Sequence, residues 1–241
     1  MYLSRVTLKQ RNRGVQRLLA DCHLMHRTIM QAFPAVPSGG DDPRRILGVL
    51  YRVETDRRGL VKIIVQSGYR PDWSALDPGW LAGGTDFANP ACKAIDRQYS
   101  QISTGMVLSF VLRANPTRKI GSTSKKERLA GVKKNNGRRI LITSELDQYD
   151  WLNRKAAAGG FELVRTKEEQ PDLIVRASER AYGWHAEASG KSEKMPLVLS
   201  MVDYQGRLAV KDADLFRSSL ASGLGSGKAY GCGLMLVAPT R

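Results

Sequence analysis

Along residues 2–9 the apolar Val6 and Leu8 alternate with Arg5, Thr7 and Lys9, the two-residue period of a strand with one buried face. The period then changes. Between 13 and 33, Leu18, Cys22, Met25, Ile29 and Phe33 recur at three- and four-residue steps, which predicts one helix with a single apolar stripe. Strands are expected at 46–54 and 60–67, joined by the turn signal Asp56-Arg57-Arg58-Gly59. Pro71, Pro78, Gly79 and Gly83-Gly84 interrupt the stretch that follows, and a further strand is expected near 93–102, after the Asn89-Pro90 turn.

The same rhythm returns in the second half. Residues 106–114 alternate as a strand and stop at Asn115-Pro116. A polar, basic stretch follows, and then Ser144 stands where a helix cap belongs, with Asp147 three residues on. That helix is expected to end at Gly159-Gly160. Strands are read at 173–178, 195–203 and 234–237, with 207–210 a continuation after a Gln205-Gly206 turn, and a helix at 212–221. There is no internal sequence repeat, but strand–helix–strand–strand recurs in each half. The reading is an α+β protein of two tandem ferredoxin-like (βαββαβ) domains, 1–102 and 103–241, the first carrying the histidine helix and the second a basic segment and a glycine-rich loop.

Composition narrows the function. With 42% hydrophobic and 25% charged residues, the 241-residue chain can bury a real core, so disordered and disulfide-only classes fall away. Thirty-eight Lys and Arg against 23 Asp and Glu leave a net charge of +15, which draws polyanions. No apolar run approaches the roughly 18 residues of a spanning helix, and the first strand lacks a signal peptide's apolar region, so no membrane partner is expected. Cys22, Cys92 and Cys232 are odd in number and far apart, which points to reduced thiols in a cytoplasmic protein.

Three features carry candidate chemistry. Residues 118–139 hold Arg118, Lys119, Lys125, Lys126, Arg128, Lys133, Lys134, Arg138 and Arg139 against the single Glu127, so +8 of the +15 sits in 22 residues. That is either a solvated loop or an arm that grips phosphates. On the long helix, His23 and His26 stand three residues apart beside Arg27. Such a set suits proton transfer at a phosphate, but spacing alone favours an ordinary helix with two partly exposed histidines. The remaining histidine, His185, lies in an aromatic loop, so a metal site built on Cys22 is not expected. Finally, 223–233 contain five glycines with Ser226 and Lys228. Ala229 stands where a Walker A loop needs Ser or Thr, which leaves a backbone-lined anion loop or a tight helix-to-strand connection.

The order of these features resembles a known family. The opening strand MYLSRVTL, the helix segment LMHRTI, the sequence Arg113-Ala114-Asn115-Pro116, and the closing glycine loop with Leu234 and Val237-Ala238-Pro239 together look like the CasE family. Its members are the endoribonucleases of type I-E CRISPR systems that process CRISPR precursor RNA. The resemblance spans nearly the whole chain. It implies paired ferredoxin-like domains that bind the repeat hairpin, cut it at the 3′ base of the stem without metal or other cofactor, and stay attached within a multisubunit surveillance complex. The family's catalytic histidine matches His26. Three residues earlier the family usually has Tyr; here His23 either takes over proton transfer or contacts phosphate. Arg27, Arg113, the nine cations of 118–139 and the loop residues Gly225, Ser226, Gly227 and Lys228 are the RNA-binding set so implied. An RNA-binding subunit without activity, and a general basic nucleic-acid binder, are the alternatives.

Overall fold

The computed structural model describes residues 1–36, 42–56, 59–83, 88–119, 139–184 and 196–240. The first half runs β1 (Tyr2–Lys9), α1 (Arg13–Ala20), α2 (Cys22–Met30), α3 (Pro43–Ile46), β2 (Leu50–Thr55), β3 (Leu60–Ser67), β4 (Ala91–Ala94) and α4 (Asp96–Ser100). Its four strands form an antiparallel sheet in the order β2-β3-β1-β4. The second half runs β5 (Val107–Ala114), β6 (Thr117–Lys119), β7 (Arg139–Leu141), α5 (Glu145–Ala158), β8 (Phe161–Leu163), β9 (Leu173–Trp184), β10 (Pro196–Val210), α6 (Ala213–Ser222) and β11 (Met235–Pro239). Its main sheet is ordered β11-β5-β10-β8, and β9 pairs with β10 beside β8; β6 and β7 make a separate two-stranded ladder.

Each sheet packs helices on its apolar face. Val15 and Leu18 of α1 and Met25 and Ile29 of α2 share a buried cluster with Val6, Leu8, Val61, Ile63 and Val65. In the second half Trp151, Leu152, Phe216 and Leu220 from α5 and α6 pack with Phe110, Leu112, Tyr204 and Leu208. The halves are fastened to each other by polar contacts. Gln66 Nε2 donates to Leu220 O at 2.8 Å, Tyr51 Oη to Ala229 O at 3.1 Å, and Arg113 Nη1 to Val53 O at 2.8 Å.

Four expectations change. The single helix over 13–33 is two helices, because Asp21 takes an extended conformation (φ −131°, ψ 106°) and caps the second one. Its carboxylate accepts from His23 N at 2.8 Å and Leu24 N at 3.3 Å, satisfying N–H groups that a new helix leaves open. The strand expected at 46–54 starts only at Leu50, since Asp42-Pro43 opens the short α3. The strand expected near 93–102 ends at Ala94 and gives way to α4, whose Asp96 pairs with the N-terminal ammonium at 2.6 Å. Finally, β10 runs unbroken through Gln205-Gly206, and the short β8, with Phe161 and Leu163 buried, was not foreseen.

Candidate active site

The capped start of α2 sets the position of the histidines. With Asp21 fixing the first turn, Met25 and Ile29 go into the core, and His23 and His26 fall half-buried on the flank. β9 passes close over this turn at Gly183. A Cβ there would lie 2.6 Å from Cys22 Sγ and 3.2 Å from the His23 ring, so only glycine allows the approach. From the other side comes the glycine loop. Its short 3₁₀ turn, Lys228–Tyr230, is bracketed by Gly227 and Gly231 at φ 75° and 85°, left-handed values that disfavour other residues. The turn packs Tyr230 against the buried Leu199, Met201 and Cys232 and aims its ring at α2. Tyr230 meets His23 edge-on with centroids 5.0 Å apart, and His26 at 6.2 Å. Tyr230 Oη lies 3.4 Å from His23 Nε2.

The electrostatics favour the neutral imidazole at His26. Burial lowers its pKa; Asp42 pulls it back up, while Arg44 and His23 push it further down. His26 Nδ1 is buried without a hydrogen-bond partner among the described protein groups. Burial also raises the Tyr230 phenol above its usual value, helped by Cys22 and Asp42, and pushes the Cys22 thiol up to about 11. Lys228 is shifted down, first by burial and then by the positive charges of Arg44, Lys155 and Arg45. Arg44 is held by Asp42 at 3.3 Å and donates to Val49 O at 3.1 Å.

Tyr230, Asp42 and Arg44 were missed from sequence. Tyr230 was hidden inside a motif read for its glycines, although an aromatic between Ala229 and Gly231 is a signal in itself. Asp42 and Arg44 had a usable one, the Asp-Pro helix start just before two arginines. The expected RNA-binding set divides. Arg27 is exposed on α2, as are Arg118, Lys119 and Arg139 on the β6–β7 ladder. That ladder springs from beside the glycine loop, where Thr117 Oγ1 lies 3.4 Å from Ser226 Oγ. Lys125, Lys126, Arg128, Lys133, Lys134 and Arg138 lie outside the described residues, as does His185. Arg113 is engaged inside the protein. Its Nε and Nη2 donate to the Asp203 carboxylate at 2.9 and 2.8 Å and its Nη1 reaches Val53 O, a cross-link between β5, β10 and β2. Within the loop, Ser226 Oγ donates to Asn115 O and Lys228 Nζ to Ser222 O, while Gly225 and Gly227 are half-buried. Among the described residues no three His, Cys, Asp or Glu side chains are grouped so that they could hold a metal ion, and no helix is long and apolar enough to cross a membrane.

By fold and site, this is a basic α+β protein in which two imidazoles and a phenol meet beside a glycine loop that carries Lys228. Comparison with known proteins narrows that class. The family model described as CRISPR associated protein matches residues 1–239. The CRISPR-associated endoribonuclease Cse3 of Thermus thermophilus is 30% identical over 249 residues, spanning 99% of this chain and all of the relative. The Cascade subunit CasE of Escherichia coli K12 is 27% identical, again over 99% of this chain and all of the relative. A structure of Cse3 bound to a 19-nucleotide RNA superposes with a TM-score of 0.73 at 28% identity, covering 99% of this chain and all of that one. The chain belongs to the Cse3/CasE family of CRISPR-associated endoribonucleases.

Proposed function

We propose that this chain is a metal-independent endoribonuclease that cuts CRISPR precursor RNA at the 3′ base of the repeat hairpin. It then keeps its product as a subunit of a surveillance complex in the cytoplasm. The observation that carries the reading is the convergence of His23 and His26 on Tyr230 of the glycine loop. This occurs in a chain similar from end to end to Cse3, a named endoribonuclease with an RNA-bound structure. We read the halves 1–102 and 103–241 as two ferredoxin-like domains. The strand orders support this, since each places its first and third ferredoxin-type strands in the middle.

The chemistry asks little beyond these groups. RNA carries its own nucleophile, so the site has to remove the 2′-OH proton, stabilise the phosphorane and protonate the departing 5′-oxygen. His26, biased toward its neutral form, suits the first task, and positioned acid–base groups contribute on the order of 10²–10⁴-fold. Arg44, Lys228 and Arg27 supply cations for the developing charge, the contribution that is usually largest. The basic segment 118–139, rooted beside the loop, grips the stem through phosphates and 2′-OH groups, since A-form RNA hides its major-groove edges.

The test is incubation of the purified protein with a labelled repeat hairpin in EDTA. One discrete cut at the stem base supports the enzyme. Tight binding with no cut favours an inactive RNA-binding subunit, the reading that His23 at the family's tyrosine position keeps open. Equal affinity for unrelated duplexes would instead make it a general binder.

A further inference from the structure

We propose that Tyr230 is a positioning residue for the reaction: its hydroxyl binds Nε2 of His23 and its ring braces both imidazoles, so that His23 and His26 reach the RNA as one pre-set pair. This rests on the endoribonuclease reading above and adds to it a residue from the opposite half of the chain, more than two hundred positions from the histidines.

Three observations converge. The hydroxyl lies 3.4 Å from His23 Nε2, a long hydrogen bond of the kind common in unliganded sites. The ring meets both imidazoles edge-on, at interplanar angles of 69° and 67°, so one side chain limits the tilt of two others. Tyr230 is itself immobilised. The 3₁₀ turn carrying it is closed by Tyr230 N donating to Gly227 O at 2.9 Å. The turn is tied to the first half by Tyr51 Oη on Ala229 O, and its ring rests on the Leu199, Met201 and Cys232 cluster. A loop built only to approach phosphate needs none of this. Burial favours the protonated phenol, which can donate as well as accept; in the arrangement proposed here Tyr230 Oη donates and His23 Nε2 accepts. His23 is thereby held in the tautomer with its proton on Nδ1, since the partner of one ring nitrogen decides where the proton sits.

The test is Tyr230→Phe, which keeps the ring and removes the hydroxyl. Two readouts are taken: single-turnover cleavage of the repeat hairpin, and the tautomer of His23 from ¹⁵N shifts of histidine-labelled free protein. The expected result is a rate lower on the order of tenfold with hairpin affinity within twofold, the scale of one missing hydrogen bond. The Nδ1–H signature of His23 should also disappear. In a His23→Ala background the same change should cost almost nothing, because groups that act as a unit are not additive. Wild-type cleavage by Tyr230→Phe, or an unchanged His23 tautomer, would overturn the proposal. The spectroscopic readout needs no cleavage, so it decides the Tyr230–His23 pairing even if the protein proves not to cut RNA.

Discussion

At the scale of single residues, His26 carries the most weight. On the proposed mechanism, His26→Ala should lose most of the single-turnover cleavage rate while hairpin affinity stays within a few-fold, because the ring's proposed task is proton transfer and not grip. A variant that cuts near the wild-type rate would remove His26 from the mechanism. The pH dependence follows from its environment. Burial holds the folded pKa below the ordinary imidazole value of about 6.5, so between the two values the unfolded chain binds a proton that the native protein refuses. Stability from this group is therefore complete above about 6.5 and is lost as the pH falls through that window. As a base, neutral His26 should give a kcat/KM profile whose acid limb lies below pH 6.5. A bound phosphate stabilises the imidazolium, so the limb in kcat should sit at higher pH. Coincident limbs at or above 6.5 would contradict the desolvated imidazole.

At the scale of elements, the sequence was readable where one period ran long enough to be seen. β1 and β5 announced themselves by alternation and β3 by the turn before it; α5 begins directly after Ser144, whose side chain makes no cap bond, and α6 after Asp212, whose carboxylate accepts from Asp214 N and Leu215 N. What escaped were elements too short for a period to repeat. β8 is three residues long, and its character comes from pairing with Leu208–Val210 in β10, not from its own pattern. The break at Asp21 escaped because the apolar stripe continues in phase from Leu18 to Cys22 across it, so periodicity alone could not reveal two helices. Only the cap did, an Asp ahead of two N–H groups. Both imidazoles were legible as a pair three residues apart. Their partner Tyr230 was not, because its approach to α2 depends on how the two halves close. The Asp21 cap is testable. Asp21→Ala should cost about 1 kcal/mol in urea unfolding, the usual value of an N-cap. It should slow cleavage beyond what that drop in stability explains, because it frees the turn that carries His23. A stability loss without any change in the rate of the folded protein would separate the cap from the site.

At the scale of the whole molecule, the observed role of charge in joining the halves and its proposed role in holding RNA are distinguished by experiment. Arg113 was expected to bind RNA, but its guanidinium is paired with Asp203 and bonded to Val53 O, joining the two halves. Arg113→Met should destabilise the fold, by less than the roughly 3 kcal/mol lost on breaking a fully buried pair, because Arg52 still faces Asp203 at 3.8 Å. It should leave the slope of log K against log[salt] unchanged. Replacing Lys125, Lys126, Lys133 and Lys134 with Ala should do the reverse. Each phosphate that is no longer neutralised lowers the magnitude of that slope by roughly 0.7–0.9, with little effect on stability. In the proposed function, grip and closure together serve a single event at the scissile phosphate. The most direct test of that event is single-turnover cleavage of a repeat hairpin carrying one 2′-deoxy nucleotide just 5′ of the cut. The prediction is binding equal to that of the all-RNA hairpin with no cleavage, and from the unmodified hairpin a 5′-OH product and a 2′,3′-cyclic phosphate. Cleavage of the deoxy hairpin would mean that water or a protein group is the nucleophile, and would contradict internal attack assisted by His26.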